Sequence, residues 1–352
     1  MAYTTINKST AHFNTNLWLG NTSGQTISGV GFKPDLNWSK CRSNGYAHQL
    51  IDSVRGITKQ LNSNDAAAEG TNANGITAFN SDGYSIGTQP EFSNNGNTFA
   101  GWSWKAGTSF SNSAGANGAS IASTGSINTT AGFSIISYTG SGSNATVAHG
   151  LGVAPKMIIF KNRNDTASWR VAHDSIGWNK SLFLDNANAA QTEPTYFYST
   201  APTNQVFYLG TNGGANANNN NIIAYCFAEK QGYSKFGGYT GNGSSSGDGS
   251  FIYTGFKPSF LMVKRTNGAK DWHIFDTARS TSNVVKSQLE PNTSNAETTS
   301  SNWVDMLSNG FKWRIASGDG QYGDVNGDGD TYIYMAFGQS IVGSNNVPAT
   351  AR

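Results

Sequence analysis

The chain has 352 residues, with 23 lysines and arginines against 21 aspartates and glutamates, a formal net charge of +2. Binders of nucleic acid or of anionic membranes draw much of their affinity from a basic surplus, so this balance argues against both kinds of partner. Charged residues make up only 12% of the chain and glycine accounts for 42 residues, so its polarity comes mainly from uncharged side chains.

Cysteine use and the apolar runs exclude further classes. Cys41 and Cys226 are the two cysteines and follow no CxxC spacing, so we expect neither a structural zinc site nor a disulfide framework. The N-terminal residues show no basic and apolar secretion signal. No apolar run approaches the ~20 residues that span a bilayer. We therefore expect a protein that is made in the cytosol and is not inserted into a membrane.

A proline-led strand with a basic end occurs three times along the chain. The three copies are GFKPDLNWSKCR from Gly31, LGVAPKMIIFKNR from Leu151 and GFKPSFLMVKR from Gly255. Each copy is followed by an Asp-Ser or Asp-Thr pair, a stretch rich in Asn and Ala, and a closing aromatic strand. These runs are short, aromatic or β-branched, and bounded by Gly, Asn and Ser, which is typical of strands. We predict an all-β protein of three antiparallel β-sandwich units, of lectin or jelly-roll type.

The composition also sets the predicted boundaries of the units. They are an N-terminal segment with β unit 1 at 1–105, a low-complexity linker at 106–131, β unit 2 at 132–230, β unit 3 at 231–345, and a C-terminal tail at 346–352. The linker is rich in Gly, Ser and Asn, as is a shorter run at 241–250. Such segments bury too little apolar surface to offset their chain entropy, so we expect them to be mobile or extended.

Local patterns predict two hairpins and one two-faced strand. Asp-Gly at Gly83 and Asn-Gly at Gly310 supply the positive φ angles of tight turns. Unit two lacks such a pair, so its turn must differ. In the closing strand TYIYMAF, alternation places Tyr332, Tyr334 and Ala336 on one face and the residues between and after them on the other.

Histidines and aspartates recur near one another in the three units. Asp52, Asp174 and Asp276 are each followed by Ser or Thr. A catalytic His-Asp relay needs fixed geometry, but His48, His173 and His273 stand at different spacings from these aspartates. We therefore interpret the aspartates as turn caps, with Arg55 and Arg279 as their ion partners, and Gly177 in place of the arginine in unit two.

A candidate calcium loop precedes the last strand. Its proposed ligands are Asp324, Asn326, Asp328 and Asp330, which match the D-x-N-x-D-G opening of a calcium-binding loop. Position twelve holds Met335 instead of the bidentate glutamate, and the equivalent tips in the other units carry no carboxylates. A solvated hairpin tip is the alternative. Calcium is the one cofactor that the sequence suggests.

Three tryptophans are candidates for stacking on sugar rings, since Asn and Gly flank aromatic residues throughout the chain. They are Trp102, Trp178 and Trp303. The alternative is that these side chains belong to the core, where Trp102 and Trp104 must share one face of their strand. The sequence contains no Walker A or HExxH motif, so we expect no catalysis.

The order of these motifs resembles one protein family. The segments that carry the likeness are the opening AYTTINKSTAHFNTNLWLGN, the repeated GFKP-type strand, HQLIDSVRG, WHIFDTARS, GYSKFGGYTGNG, SFIYTGFKP and TYIYMAFGQ. Together they resemble multi-unit virion structural proteins, often labelled tail fibres, of tailed phages from marine bacteria and cyanobacteria. The resemblance covers essentially the whole chain.

The resemblance implies a phage virion protein that is assembled in the host cytoplasm. Its expected partners are other virion proteins, further copies of itself as a homo-oligomer, and a glycan on the host surface, and attachment would proceed by multivalent contacts. A head-decorating or capsid-associated protein is the first alternative. A polysaccharide depolymerase is the second, because the separation of two catalytic carboxylates is a property of the fold and not of the sequence.

Overall fold

Strands dominate the structure, and the prediction of an all-β protein of antiparallel sandwich units is confirmed. The computed structural model describes residues 4–340, so the predicted tail at 346–352 lies outside the described residues. In each unit a main sheet packs against a smaller one. Every main sheet contains the same order of neighbours: opening strand, closing strand, proline-led strand and the strand that follows it.

The first unit has a main sheet ordered β1-β9-β3-β4, a smaller sheet ordered β2-β8-β7 and a short ladder of β5 with β6. Its elements are β1 (Phe13–Leu19), β2 (Gln25–Ser28), β3 (Leu36–Cys41), β4 (Gln49–Asp52), β5 (Lys59–Gln60), β6 (Gly70–Thr71), β7 (Ile76–Asn80), β8 (Gly83–Ile86), α1 (Pro90–Ser93) and β9 (Thr98–Trp104).

The second unit has a main sheet ordered β10-β11-β12-β19-β14-β15-β16-β17 and a smaller pair of β13 with β18. Its elements are β10 (Thr108–Asn112), β11 (Ser123–Asn128), β12 (Phe133–Thr139), β13 (Ala145–Ala148), β14 (Met157–Asn162), β15 (Arg170–His173), β16 (Lys180–Phe183), β17 (Gln191–Thr192), α2 (Pro194–Phe197), β18 (Val206–Leu209), α3 (Gly213–Asn216) and β19 (Asn221–Phe227).

The third unit has a main sheet ordered β20-β26-β22-β23 and a smaller sheet ordered β21-β25-β24. Its elements are β20 (Ser234–Thr240), β21 (Phe251–Tyr253), β22 (Lys257–Arg265), β23 (His273–Asp276), β24 (Val304–Leu307), β25 (Gly310–Trp313) and β26 (Thr331–Gln339). Short 3-10 helices occur at Ser9–Ala11, Asp174–Ile176 and Tyr322–Asp324. Within residues 4–340, no helix is long and apolar enough to cross a membrane.

The segment 106–131 is part of the second unit and not a mobile linker. It forms β10 and β11, which extend the main sheet from the edge of β12. Backbone pairing satisfies the polar groups of this Ser- and Gly-rich segment, while Phe110 and Ile127 pack against the core of unit two. The prediction of a mobile linker was wrong because it considered the composition of the side chains and not the pairing of the backbone. The run at 241–250 likewise lies inside unit three, between β20 and β21.

Both predicted hairpins form. β7 and β8 are joined through the turn before Gly83, and β24 and β25 through the turn before Gly310. Gly83 has a φ of +146°, and a Cβ there would lie 2.0 Å from the carbonyl oxygen of Ile27. In unit two, β18 pairs with β13 instead, so its turn differs as predicted.

The main sheets of all three units share one central core. Their inner faces contribute to a single cluster that includes Trp102, Tyr225 and Met335, while each outer face packs on its own smaller sheet. In β26, Tyr332, Tyr334 and Ala336 face the core of unit three, and the alternate residues face the shared core. The predicted alternation is therefore confirmed.

Three equivalent aromatic residues meet at the centre of this shared core. They are Trp104, Phe227 and Phe337, the last core residues of β9, β19 and β26. Their ring centroids form a triangle with sides of 6.4, 5.9 and 6.1 Å. The units are thus arranged cyclically around a pseudo-threefold axis, and they are not independent domains joined in a row by linkers.

Candidate functional site

The three tryptophans considered as sugar platforms lie inside the protein. Trp102 and Trp303 are fully buried, and Trp178 is 8% exposed. Trp178 Nε1 donates to Asp174 Oδ1 at 3.2 Å, and Trp303 packs on Phe275 in unit three. Stacking on a sugar requires an accessible ring face, so this role is incompatible with the burial of these rings.

The proposed calcium ligands do not converge. Asp324 is buried and pairs with Lys270 at 2.7 Å, whereas Asp330 pairs with Arg265 at 2.6 Å. Asn326 is buried and donates to the loop that follows β20, and Asp328 is exposed. Within the described part of the chain, no three His, Cys, Asp or Glu side chains are placed to hold one metal ion. The geometry therefore favours the alternative interpretation, a hairpin tip held by its own polar contacts.

The recurrent histidines are fully buried. His48 accepts a hydrogen bond from Trp38 Nε1 at Nδ1, and its Nε2 lies 3.0 Å from the carbonyl oxygen of Glu290. Burial lowers the pKa of His48 well below its ordinary value, and lowers that of His173 to about 4. His48 and His173 are therefore neutral at physiological pH and held by fixed partners, in agreement with a structural role.

A buried ionic network joins the first unit to the second. Asp52 Oδ2 accepts from Arg55 Nε at 2.5 Å and from Tyr225 OH of unit two at 2.8 Å. Arg55 also contacts Glu69 at 3.1 Å, and Glu69 in turn binds Arg163 of unit two with both carboxylate oxygens. Burial by itself would lower the pKa of Arg55, but the electrostatic interactions with Asp52, Tyr225 and Glu69 and the hydrogen bond to Asp52 together outweigh it and raise that pKa.

The same network joins the third unit to the first. Asp276 Oδ2 accepts from Arg279 Nε at 2.6 Å and from Trp102 Nε1 of unit one at 3.0 Å. Arg279 contacts Glu297 at 2.9 Å, and Glu297 binds Arg42 of unit one through two hydrogen bonds. Burial would raise the pKa of Glu297, but the hydrogen bond from Arg42 and the charge of Arg279 hold it below its ordinary value.

The network is absent at the interface of units two and three. In the strand register, the proline-led strand faces Asp52 in unit one and Asp276 in unit three, but His173 in unit two. His173 Nδ1 accepts from the backbone N–H of Ser175 at 3.1 Å, as the aspartates accept from theirs. The residue equivalent to the other two aspartates is therefore His173, and Asp174 is displaced by one position onto the surface.

Four further residues of the network are also replaced at the interface of units two and three. Ile176 stands three residues after His173, where the arginine stands in the other units. The backbone N–H of Ala190 donates to Thr266, as the glutamates donate to their arginines, so Ala190 and Thr266 replace Glu and Arg. Met335 occupies the position of Tyr225 in the closing strand. No ionic group of the network is retained at this interface.

A cleft of about 670 Å³ opens where the third network would lie. Ile176, Ala190 and Thr266 line it, together with polar residues of β20 and β26. Arg265, which neighbours Thr266, does not line the cleft and pairs with Asp330 instead. The interface of units three and one, which keeps its network, has a smaller cleft of about 310 Å³.

Buried lysines mark all three interfaces. They are Lys40, Lys161 and Lys264, which stand at one equivalent position of β3, β14 and β22. Their ammonium groups donate to carbonyl oxygens of a neighbouring unit, at Ser294, Ala66 and Ala187 respectively. Burial lowers their pKa to about 8, about 8 and about 7. Unlike the Asp-Arg-Glu network, this contact is repeated three times.

Sequence reasoning identified part of these interfaces. The pairing of Arg55 with Asp52, and of Arg279 with Asp276, is confirmed. The contributions of Glu69 and Glu297 were missed, although a glutamate ends the Asn- and Ala-rich stretch in both units and a threonine ends it in unit two. That difference between units was the available signal.

The chain belongs to the family defined by a domain of unknown function, DUF7483, whose model matches residues 8–340. The match extends across all three units and ends with the last core strand. No curated protein matches the chain.

Proposed function

We propose that this DUF7483 protein is a structural protein of a bacteriophage virion, of the tail-fibre or appendage type. In this proposal it attaches to host-surface glycans and catalyses no reaction. The observation that carries the proposal is the cyclic joining of three sandwich units around one core, because such a body is rigid and presents loops from several units together. The order of the sequence motifs described above supports the virion assignment.

The commitment of the chemically versatile side chains to internal contacts supports a non-catalytic role. Asp52 and Asp276 bind Arg55 and Arg279 of their own units within buried interfaces, and His48 and His173 are fully buried. A general acid or base must reach the proton that it transfers. These groups serve the joining of the units instead.

Assembly with other virion proteins and with further copies of the chain is part of the proposal. β1 is an edge strand of its main sheet, and it exposes Leu17 and Leu19, which are 41% and 59% exposed. An edge strand offers unpaired backbone groups to another chain. Apolar side chains beside such an edge favour contact with a partner.

The localisation test is immunogold electron microscopy of intact particles of the phage that encodes the chain. We expect gold label on the tail or its fibres. Label distributed over the head would instead favour a head-decorating protein. Absence of label from washed particles, with the chain present in the infected lysate, would refute a virion role.

Two further assays separate attachment from catalysis. Purified protein should compete with phage adsorption to host cells, whereas a decoration protein should not. Release of reducing ends from host glycan by the purified protein would contradict the non-catalytic assignment and favour a polysaccharide depolymerase.

A further inference from the structure

We propose that the cleft between units two and three is a binding site for a short, hydroxyl-rich glycan. That this glycan comes from the host surface rests on the proposed attachment function. The starting observation is an asymmetry within the molecule. Two of three equivalent interfaces are filled by an Asp-Arg-Glu-Arg network, and the third holds a cleft of about 670 Å³ at the same position.

The substitutions at this interface remove volume and charge together. Ile176 stands in for an arginine, Ala190 for a glutamate and Thr266 for a second arginine. Together with His173 in place of the aspartate, these replacements leave no buried ion without a partner, because two charges of each sign are lost at once. The vacant space is therefore stable when empty and accessible to a ligand. Its volume lies within the roughly 300–1,000 Å³ of small-molecule sites.

The polar groups of the lining are mainly hydroxyls and an amide. A row of threonines, Thr240, Thr331 and Thr266, crosses three neighbouring strand ends at its wall. Thr240 pairs with Thr331 in the ladder of β20 and β26, and Thr266 Oγ1 lies 2.6 Å from Thr331 Oγ1. Each hydroxyl both donates and accepts, as do the hydroxyls of a sugar.

Other lining residues define the chemical class further. Asn267 supplies an amide, Ser175 another hydroxyl and Lys180 the single cation of the lining, while the lining contains no carboxylate. A metal ion or a polyamine would require carboxylates, and a polyphosphate would require several cations. A neutral oligosaccharide satisfies the lining, and a single uronic acid could be placed against Lys180. Ile176 and Ala190 add an apolar patch for the C–H face of a sugar ring.

The direct test is isothermal titration calorimetry of the full chain. The probes are three neutral trisaccharides, maltotriose, cellotriose and mannotriose, and one acidic trisaccharide, trigalacturonic acid. We expect saturable binding of at least one probe. Preference for a neutral probe assigns recognition to the threonine row, and preference for the acidic probe assigns it to Lys180. Absence of binding to all four probes would overturn the proposal.

A network-restoring variant locates the site. His173→Asp, Ile176→Arg, Ala190→Glu and Thr266→Arg together should rebuild the Asp-Arg-Glu-Arg network of the other interfaces and fill the cleft. We expect at least tenfold weaker binding with an unchanged or higher melting temperature. Thr331→Val removes one hydroxyl of the row without filling the cleft and should weaken binding severalfold. It keeps the proposal testable if the quadruple variant misfolds.

The matched control is Thr15→Arg, which places the same side chain in the smaller cleft of about 310 Å³ between units three and one. It should leave binding unchanged. Equal binding by wild type and by the network-restoring variant would overturn the assignment of the site. Binding without label on virions would refute only the proposed virion role, and label on tails without binding would refute only the glycan site.

Discussion

Replacement of Asp52 by asparagine tests whether the buried network holds units one and two together. Asp52 is fully buried. One carboxylate oxygen accepts from the backbone N–H groups of Val54 and Arg55, and the other accepts from Arg55 Nε and Tyr225 OH. In either orientation, an asparagine amide would set its own N–H donors against two of these donors. The change keeps the size of the side chain and removes its charge.

The expected cost follows from the burial of the pair. Removal of one partner from a buried ion pair leaves an uncompensated charge and typically costs about 3–5 kcal/mol. Arg55 would keep only Glu69 as an ion partner. Because whole domains are stable by about 5–15 kcal/mol, we expect Asp52→Asn to lower the midpoint of urea unfolding strongly, as followed by tryptophan fluorescence.

Asp174, which the sequence pattern matched with Asp52, provides a control within the same chain. Asp174 pairs with Lys156 at 2.7 Å, but both side chains are more than 40% exposed. Such pairs contribute about 0–1 kcal/mol, so Asp174→Asn should unfold almost as the wild type does. If Asp52→Asn loses no more stability than Asp174→Asn, the network does not stabilise the joint and the reasoning is refuted.

Two other predictions concern pH and the central triangle. Burial lowers the pKa of His149 and of His173 to about 4, below the unfolded value of about 6.5. As the pH falls, the unfolded chain therefore binds protons before the folded chain does. For each of the two histidines, the free energy of unfolding at pH 4 should be lower by about 3 kcal/mol than at pH 7. Urea unfolding between pH 7 and pH 4 measures this loss, and a flat profile would contradict it. Phe227→Ala should cost about 3–5 kcal/mol in the same assay, whereas Phe251→Ala, at a residue 47% exposed, should cost less than about 0.5 kcal/mol; equal losses would contradict the shared core.

Local patterns predicted what depends on neighbouring residues along the chain. The two faces of the strand from Tyr332 to Phe337 follow from the two-residue period of a strand, and the hairpins follow from Asp-Gly and Asn-Gly turns. The shared face of Trp102 and Trp104 was correct for the same reason. That this face meets another unit, where Trp102 binds Asp276, depends on packing between distant segments, which no local pattern contains.

The one-residue shift in unit two shows a second reason for failure. Matching by residue type aligned Asp174 with Asp52 and Asp276, because all three are aspartates followed by Ser or Thr. The backbone instead aligns His173 with them through hydrogen bonds to β14. Strand register decides which side chain faces the neighbouring unit, and a shift of one residue reverses that direction. The altered interface, and hence the cleft, therefore follows from the strand register and not from the order of residue types along the chain.

The shared core makes one further prediction, for the cooperativity of unfolding. If the units were separate domains on flexible linkers, each would unfold independently, and the van't Hoff enthalpy would be about a third of the calorimetric enthalpy. In the structure, the inner faces of the three main sheets pack on one another. Loss of one unit would therefore expose the inner faces of the other two to water.

We accordingly expect one calorimetric transition for the full chain. At about 0.7 kcal/mol per residue near 60 °C, the 352 residues should give a calorimetric enthalpy of about 250 kcal/mol, with a van't Hoff enthalpy close to it. Two or three resolved transitions, or a van't Hoff enthalpy near 80 kcal/mol, would show that the units unfold separately. The Asp52→Asn variant sharpens the test, because it weakens the joint between units one and two while each sandwich keeps its own outer core. One unit should therefore unfold in a separate transition in this variant, although the wild type unfolds in one.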